Sequence, residues 1–290
     1  MAINNSSNIN NSARMGAAIG VGATIALAVL SLVALLEGAT KVVIIGWVAF
    51  VAMALGGWLG VRADATNPTG LVWGYGLASG AMVTSAAMFL LPQAMGLGGQ
   101  AGSPRLGGIG VALGIVIGYS GHVVGHRLTH LDLPFDVTTA EISAHALSAG
   151  LIIGLVYSTA MPAVGILLGL AIVSHKGPAG YAAARRLRRG DKPVVGLLLP
   201  AAGVGVTAIP VALLPIPASP TISAVVFGFA AGIFLHVAMD FLPNCEAGSE
   251  IDHVVSQSEE SHHHLDKLRT HAVGSTSIGA VAVVAAWLLI

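Results

Sequence analysis

Long apolar stretches dominate the chain, and short polar connections separate them. A helix needs about 20 apolar residues to cross a bilayer, and windows of about that length occur repeatedly. They lie at about 15–36, 41–61, 70–91, 106–126, 138–160, 162–184, 193–214, 221–243 and 273–290. Pro, Gly and Asp mark most of the connections, as at Asn67-Pro68 and Gly190-Asp191. The pattern predicts an all-α membrane protein with nine spans.

The first apolar window has two interpretations, a cleaved signal peptide or a retained helix. Its apolar run is longer than that of an ordinary signal peptide, and no convincing basic segment precedes it. We therefore expect a retained helix over 15–37, after a polar tail over 1–14. A transmembrane domain over 41–290 follows, with a loop rich in His and acidic residues at 244–272.

Composition supports this class of protein. Hydrophobic residues make up 55% of the chain and charged residues only 9%, against about 25% charged in soluble proteins. The net charge is zero, which gives no support to nucleic acid as a partner. The single cysteine, Cys245, excludes an internal disulfide framework and a multi-cysteine metal cluster. The lipid bilayer is the expected surrounding, and a homodimer stays open.

A basic cluster after the sixth window sets the predicted orientation. It consists of Arg185, Arg186, Arg188, Arg189 and Lys192. Because basic connections stay in the cytoplasm, this end is predicted to be cytoplasmic. Counting spans from it puts the N-terminus and the loop at 244–272 inside and the C-terminus outside, in the plasma membrane.

Ionisable residues inside the apolar windows are the candidate functional groups. Each costs about 2.5–3.5 kcal/mol at the bilayer centre on insertion scales, so each needs a role. They are His122 and His126 in the fourth window, Glu141 and His145 in the fifth, His175 and Lys176 in the sixth, and His236 and Asp240 in the eighth. Their clustering in part of the chain indicates a polar centre.

Spacing groups these residues by helix face. Glu141 and His145 are four residues apart, as are His236 and Asp240, so each pair lies on one face. Facing pairs of this kind bind divalent metals in helix bundles. Imidazole with carboxylate suits Zn²⁺ and, less selectively, Fe²⁺, Co²⁺ or Mn²⁺.

Other interpretations stay open at this point. A membrane histidine often only joins two helices by a hydrogen bond, and Glu141 with His145 could be a buried ion pair. Lys176 could extend toward the cytoplasmic side. Charged residues flank His122, His126 and His130, which favours a role in ion access or release over a central site. His262, His263 and His264 lie in the acid-rich loop, which either gathers metal weakly or is simply solvated.

Four segments carry a family resemblance. The stretches from His145 to Gly150 and from His175 to Gly180 share the frame H-x-x-x-A-G. The stretches 89–94 and 232–243 each contain a Leu-Pro step that ends a span. In order and one per span, these segments resemble the ZIP (Zrt/Irt-like) divalent metal transporter family over roughly residues 41–290.

The resemblance implies an eight-helix core of three, two and three helices. Its outer triplets would be inverted repeats, and the first window would be an extra N-terminal helix. It also implies transport of divalent cations, chiefly zinc, into the cytoplasm through metal sites between the two central spans.

The chain departs from the family motifs at several metal-binding positions. Ala149 and Ala179 stand where the family has an acidic residue four positions after each histidine, and Lys176 stands where it has Asn or Glu. Phe89 and Gln93 replace a His and a Glu in the Leu-Leu-Pro helix. The resemblance therefore predicts a divergent member without the usual second-metal carboxylates.

We expect a single-metal site formed by Glu141, His145 and His175, which His236 and Asp240 complete or gate. Lys176 either supplies the charge of the missing second cation or repels cations and closes the path. The expected substrate is zinc, with Fe²⁺, Mn²⁺, Co²⁺ and Cd²⁺ as alternatives. Transport is expected to be secondary or facilitative, by alternating access, without catalytic residues. Two alternatives stay open: a membrane-embedded metal-dependent hydrolase or oxidase, and a ZIP-like metal sensor that does not transport.

Overall fold

The computed structural model describes residues 3–63, 67–128, 137–158, 162–215, 219–245, 251 and 261–289. For residues 3–13, 122, 124–128, 137, 141, 162–174 and 261–264 it describes the backbone alone. Regular structure within these residues is helical, and no β-strand occurs among them. The α-helices are α1 (Ile3–Leu36), α2 (Thr40–Arg62), α3 (Pro68–Ser85), α4 (Leu91–Gln100), α5 (Arg105–Leu128), α6 (Val137–Ser158), α7 (Pro162–Arg189), α8 (Leu198–Ala212), α9 (Pro220–Asp240) and α10 (Ser261–Leu288). Each predicted apolar window overlaps this helical backbone.

Seven helical segments of the described chain are long and apolar enough to cross a membrane. They are Arg14–Leu36, Thr40–Arg62, Pro68–Gln100, Thr138–Ser158, Val194–Ala212, Pro220–Asp240 and Leu265–Leu288. Helix α5 contributes only a shorter apolar stretch, Arg105–Gly121, and α7 is not among the seven. The all-α prediction is confirmed, and the count of nine spans stays a prediction.

Apolar side chains cover the outside of the bundle. Leu32 on α1 is 65% exposed, Val116 on α5 60% and Val281 on α10 64%. An apolar surface of this kind leads to association in water, whereas lipid covers it in a bilayer. Only 22% of the apolar window of α1 and of α10 is buried, against 67% for Pro68–Gln100. Helices α1 and α10 are therefore peripheral, and α3 and α4 are central.

A π-helical segment, Ala86–Leu90, joins α3 to α4. Pro92 explains it, because proline has no N–H to donate and its ring clashes with the carbonyl four residues earlier. The amide of Leu91 instead donates to the carbonyl of Ala86, five residues back. Helix therefore continues to Gln100, beyond the predicted window that ended near residue 91.

Helices α2 and α7 pack together through glycine and run in the same direction. A Cβ on Gly56 would lie 2.0 Å from the carbonyl oxygen of Gly177, and one on Gly60 would lie 2.5 Å from that of Tyr181. Helices α6 and α8 form a second parallel pair in the same way. The two backbones approach so closely that only glycine fits at these points.

Two further parallel pairs are α5 with α9 and α3 with α10. A Cβ on Gly114 would lie 2.3 Å from the carbonyl oxygen of Phe229, and one on Gly80 would lie 1.9 Å from that of Thr276. Ser79 of α3 also donates to the carbonyl of Ala238 in α9 at 2.8 Å. In all four parallel pairs, partners that are distant in sequence contact each other along their lengths.

Helix α10 begins at Ser261, well before the predicted window at 273–290. Its early turns carry Leu265 and Leu268, which share one face and are buried in a cluster with Leu71, Cys245 and Ile251. Burial of these side chains stabilises helix in a segment whose polar composition predicted a loop.

Arginines of the basic cluster fasten α7 to the end of α2 and to the residue that precedes α3. Arg185 is 1% exposed and donates to the carbonyl of Asn67. Arg188 donates to the carbonyl of Val61 and, at 3.1 Å, to that of Ala63. A cation at a helix C-terminus is favourable to the helix dipole. Arg188 therefore connects α7 to α2, and Arg185 connects it to the N-cap of α3, in addition to the orienting role that the sequence predicts.

Candidate metal-binding site

Helices α6 and α7 each carry one histidine into the interior of the bundle. The rings of His145 and His175 are 5.7 Å apart between centroids and inclined by 57°. His175 is 1% exposed, and both ring nitrogens of His145 are buried. One turn further along each helix, Ala149 and Ala179 are buried, so neither helix supplies a carboxylate there. Of the five predicted ligands, His145 and His175 thus lie close together here, and the side chain of Glu141 lies outside the described residues.

An aromatic ring from α9 packs against both imidazoles. Phe234 is 2% exposed. Its ring centroid lies 5.3 Å from that of His175, with the planes at 84°, and 6.3 Å from that of His145, at 63°. Edge-to-face contacts of this kind are favourable. The ring of Phe234 therefore connects α9 to both histidines.

Lys176, directly after His175, is buried at the same level of α7. It is 1% exposed, and its Nζ has no hydrogen-bond partner among the described residues. Three basic groups, Lys176, His175 and His236, lie close enough to His145 to act on it electrostatically. In the described part of the chain, the electrostatic surroundings of His145 are therefore basic.

His236 and Asp240 lie on one face of α9, as their spacing predicts. The His236 Nε2 is 3.3 Å from the Asp240 Oδ2, and the carboxylate side chain is 40% exposed. The ring of His236 packs edge-on against Tyr119 of α5, 6.4 Å between centroids. A Cβ on Gly118 would lie 2.7 Å from His236 Cδ2, so only glycine leaves room for this imidazole.

The His236–Asp240 pair occupies one end of the bundle. Asp240 is the last residue of α9, and His236 lies one turn before it. Helix α3 is antiparallel to α7, and α4, which continues α3, is antiparallel to α5. Because α9 is parallel to α5, helices α7 and α9 run in the same direction. The pair is therefore at the end that carries the basic cluster of α7, while His145 lies about two turns inside α6.

Several predicted site residues lie partly or wholly outside the described residues. The side chains of Glu141, His122 and His126 lie outside the described residues, although their backbones are helical. The same holds for His262, His263 and His264 in the first turn of α10, and His130 lies outside the described residues altogether. By backbone position alone, Glu141 precedes His145 by one turn of α6.

No group of three or more His, Cys, Asp or Glu side chains that could hold a metal together is found among the residues described. His145 and His175 can supply two imidazoles, and a tetrahedral zinc ion needs two further ligands. The chemistry available from the described side chains is thus an incomplete metal site beside a basic residue. The predicted five-residue set stays a prediction.

Phe234 and Tyr119 contact the candidate histidines, and the sequence did not single out either as a site residue. Phe234 precedes His236 by two residues in the segment that carries the resemblance. That short separation is the one signal that could have drawn attention to it. The contact of Tyr119 depends on the register of α5 against α9, for which the sequence holds no local signal.

No protein-family model matches the chain, and a search of curated proteins finds no match either.

Proposed function

We propose that the chain transports a divalent metal ion, most readily zinc, into the cytoplasm by alternating access. The proposal includes a ZIP-like core of eight helices, α2 to α10 with α3 and α4 counted as one, and α1 as an additional N-terminal helix. It also includes a plasma-membrane location with a cytoplasmic N-terminus. The observation that carries it is the pair of imidazoles, His145 and His175, facing each other inside a bundle of apolar helices.

The pattern of helix pairs supports the architecture. In this architecture α2 corresponds to α8, α3 to α9, α5 to α10 and α6 to α7. The α2–α7 pair then corresponds to the α8–α6 pair, and the α5–α9 pair corresponds to the α10–α3 pair. These four are the principal pairs of the bundle. Corresponding helices run in opposite directions, which is the relation expected of inverted repeats around a central site.

Ligand chemistry supports the substrate. A bare divalent ion cannot enter hydrocarbon, so protein ligands must replace its water. The buried nitrogens of His145 have no partner among the described residues, which is a costly arrangement unless something binds there. Neutral imidazole binds zinc. In this proposal Glu141, one turn before His145, contributes the carboxylate that Ala149 does not provide.

Packing suggests how access alternates. Glycine contacts tie α2, α6, α7 and α8 together, with α1 packed on α8, as a first unit. Helices α3, α4, α5, α9 and α10 form a second unit. The first unit carries His145 and His175, and the second carries Phe234, His236 and Asp240. In the proposed cycle, the first unit moves past Phe234 and delivers the ion toward the His236–Asp240 pair.

The direct test is zinc uptake into sealed liposomes that contain the purified protein. His145→Ala and His175→Ala should each lower zinc affinity at least about tenfold. Loss of a residue that only hydrogen-bonds to a metal ligand already lowers metal affinity about 10–100-fold. His271→Ala is the matched control, since His271 accepts a hydrogen bond from Trp73 on α3 instead of facing the centre.

Each alternative gives a different result in the same system. Uptake at the rate of protein-free liposomes, with zinc still bound, would contradict transport and favour a sensor. Product formation that requires bound zinc and is lost in Glu141→Gln would favour a metal-dependent enzyme. Equal uptake by wild type and by both histidine variants would overturn the assigned site.

A further inference from the structure

Three rings from three helices pack together in the interior of the bundle. The ring centroids of His145 on α6 and His175 on α7 are 5.7 Å apart. The centroid of Phe234 on α9 lies 6.3 Å from the first and 5.3 Å from the second. Aromatic pairs favour centroid separations of about 4.5–7 Å, so each ring is in direct contact with the other two. One phenyl ring therefore contacts both candidate metal ligands.

Close packing at this place restricts how the imidazoles can turn. Phe234 and His175 are almost completely buried, and both ring nitrogens of His145 are buried as well. The phenyl plane is steeply inclined to both imidazole planes. Buried side chains interdigitate with few voids between them. An imidazole that turned about its side-chain bonds would therefore collide with the phenyl ring or leave a gap beside it.

We infer that Phe234 is a positioning residue, whose ring holds the imidazoles of His145 and His175 in the arrangement that binds the metal ion. The inference rests on the proposed function, because it concerns the metal site proposed there. A phenyl ring offers no ligand atom to the ion. Its contribution is to fix the directions of two imidazoles, as residues that contact metal ligands do in other metal sites.

The place of Phe234 in the second unit links this role to release of the ion. His145 and His175 belong to the first unit, so their contact with Phe234 lies on the boundary along which the units move in the proposed cycle. A shift by one helical residue is about 1.5 Å, and a gap of about 0.5–1 Å already removes a quarter to a half of the attraction between packed atoms. The imidazoles then turn more freely, and their affinity for the metal ion falls.

Binding of Co²⁺ tests the inference, because the visible absorption of Co²⁺ reports the geometry of its ligands. In the full-length protein in detergent, Phe234→Leu should lower the affinity for Co²⁺ and for zinc about tenfold or more, and it should change the Co²⁺ spectrum. Phe234→Tyr, which keeps the ring, should retain the wild-type spectrum.

Phe227→Leu is the matched control. Phe227 is buried on the same helix, two turns before Phe234, and it loses the same atoms in this substitution. Phe227→Leu should lower the thermal midpoint as Phe234→Leu does, but it should leave the metal affinities and the Co²⁺ spectrum unchanged.

Uptake kinetics in liposomes separate positioning from a general loss of stability. Phe234→Leu should raise the KM for zinc about tenfold without lowering the maximal uptake rate, since weaker binding does not slow release. A residue that only stabilises the fold would lower the amount of active protein, and hence the maximal rate, at an unchanged KM.

Wild-type metal affinity and spectrum in Phe234→Leu would overturn the inference, and so would equal losses of affinity in Phe234→Leu and Phe227→Leu. Zinc uptake whose KM does not depend on Phe234 would refute the inference alone. Metal binding that depends on Phe234, in a protein that moves no zinc across the bilayer, would refute the proposed function alone. A wild type that binds neither ion would overturn both.

Discussion

A disulfide across the two helical units should stop transport. Helix α3 of the second unit packs against α7 of the first unit at Gly74 and Ala182, where a Cβ on Gly74 would lie 3.5 Å from the Ala182 Cβ. Disulfides join Cβ atoms about 3.5–4.5 Å apart. The double variant Gly74→Cys/Ala182→Cys, in a Cys245→Ala background, should therefore cross-link readily once the nearby ring of Tyr181 shifts slightly.

The geometry also sets the size of the effect. Since the disulfide tolerates at most about 4.5 Å between the Cβ atoms, it permits about 1 Å of relative movement at this point. Sliding by one residue of helix requires about 1.5 Å. Uptake should therefore fall in proportion to the cross-linked fraction and recover when reductant is added.

The assay is zinc uptake by liposomes before and after oxidation. The cross-linked fraction is read from gel mobility after a protease has cut the chain between the two cysteines. The control is Thr139→Cys/Gly196→Cys, which joins the start of α6 to the residues just before α8 within the first unit and whose Cβ atoms are 4.0 Å apart. Its cross-link should leave uptake intact. A fully cross-linked α3–α7 pair that transports at the uncross-linked rate would refute the movement of one unit against the other.

Three further predictions concern packing and reactivity. Gly114→Ala should lower stability in detergent by about 1–3 kcal/mol, because its Cβ would meet α9 backbone. Gly108→Ala, which faces open space, should be neutral or stabilising. Equal thermal midpoints of the two variants would contradict the α5–α9 contact. Thr207→Val should cost about 1 kcal/mol, since Thr207 donates at 2.8 Å to a carbonyl of α6. Thr24, which bonds only within its own helix, is the control, and an equal loss in Thr24→Val would refute a specific α6–α8 bond. Burial raises the pKa of the Cys245 thiol, so its labelling by maleimide near neutral pH should be slower in the folded than in the denatured protein. The labelling rate should increase with rising pH. Equal labelling rates in folded and denatured protein would contradict the burial.

The positions of the helices could be predicted from the sequence because the length of an apolar run is a local property. The shared face of His236 and Asp240 is local too, since it follows from their spacing along one helix. Gly150 and Gly154 also stand four residues apart on one face of α6, and each faces α8 backbone closely enough that only glycine fits.

The partners of each helix could not be predicted in the same way. Apolar residues surround most of these helices, so no stripe of polar residues indicates which face is inside. The contact of Phe234 with His145 and His175 depends on the register between three helices. Helix at 261–272 depends on Leu265 and Leu268 packing against Leu71 from the other half of the chain.

The parallel pairing described above has a consequence for biogenesis. The Oγ of Ser275 on α10 donates to the carbonyl of Val72 on α3, across 203 residues of sequence. Helix α2 is likewise synthesised long before its partner α7. The earlier helix of each pair must therefore insert while its principal partner is still unsynthesised, protected by lipid or by the insertion machinery. Chains terminated early, for example after α5, would carry glycine-lined backbones without their partners. They should be recognised as incomplete and degraded, and the two halves expressed as separate fragments should accumulate only when they are produced together.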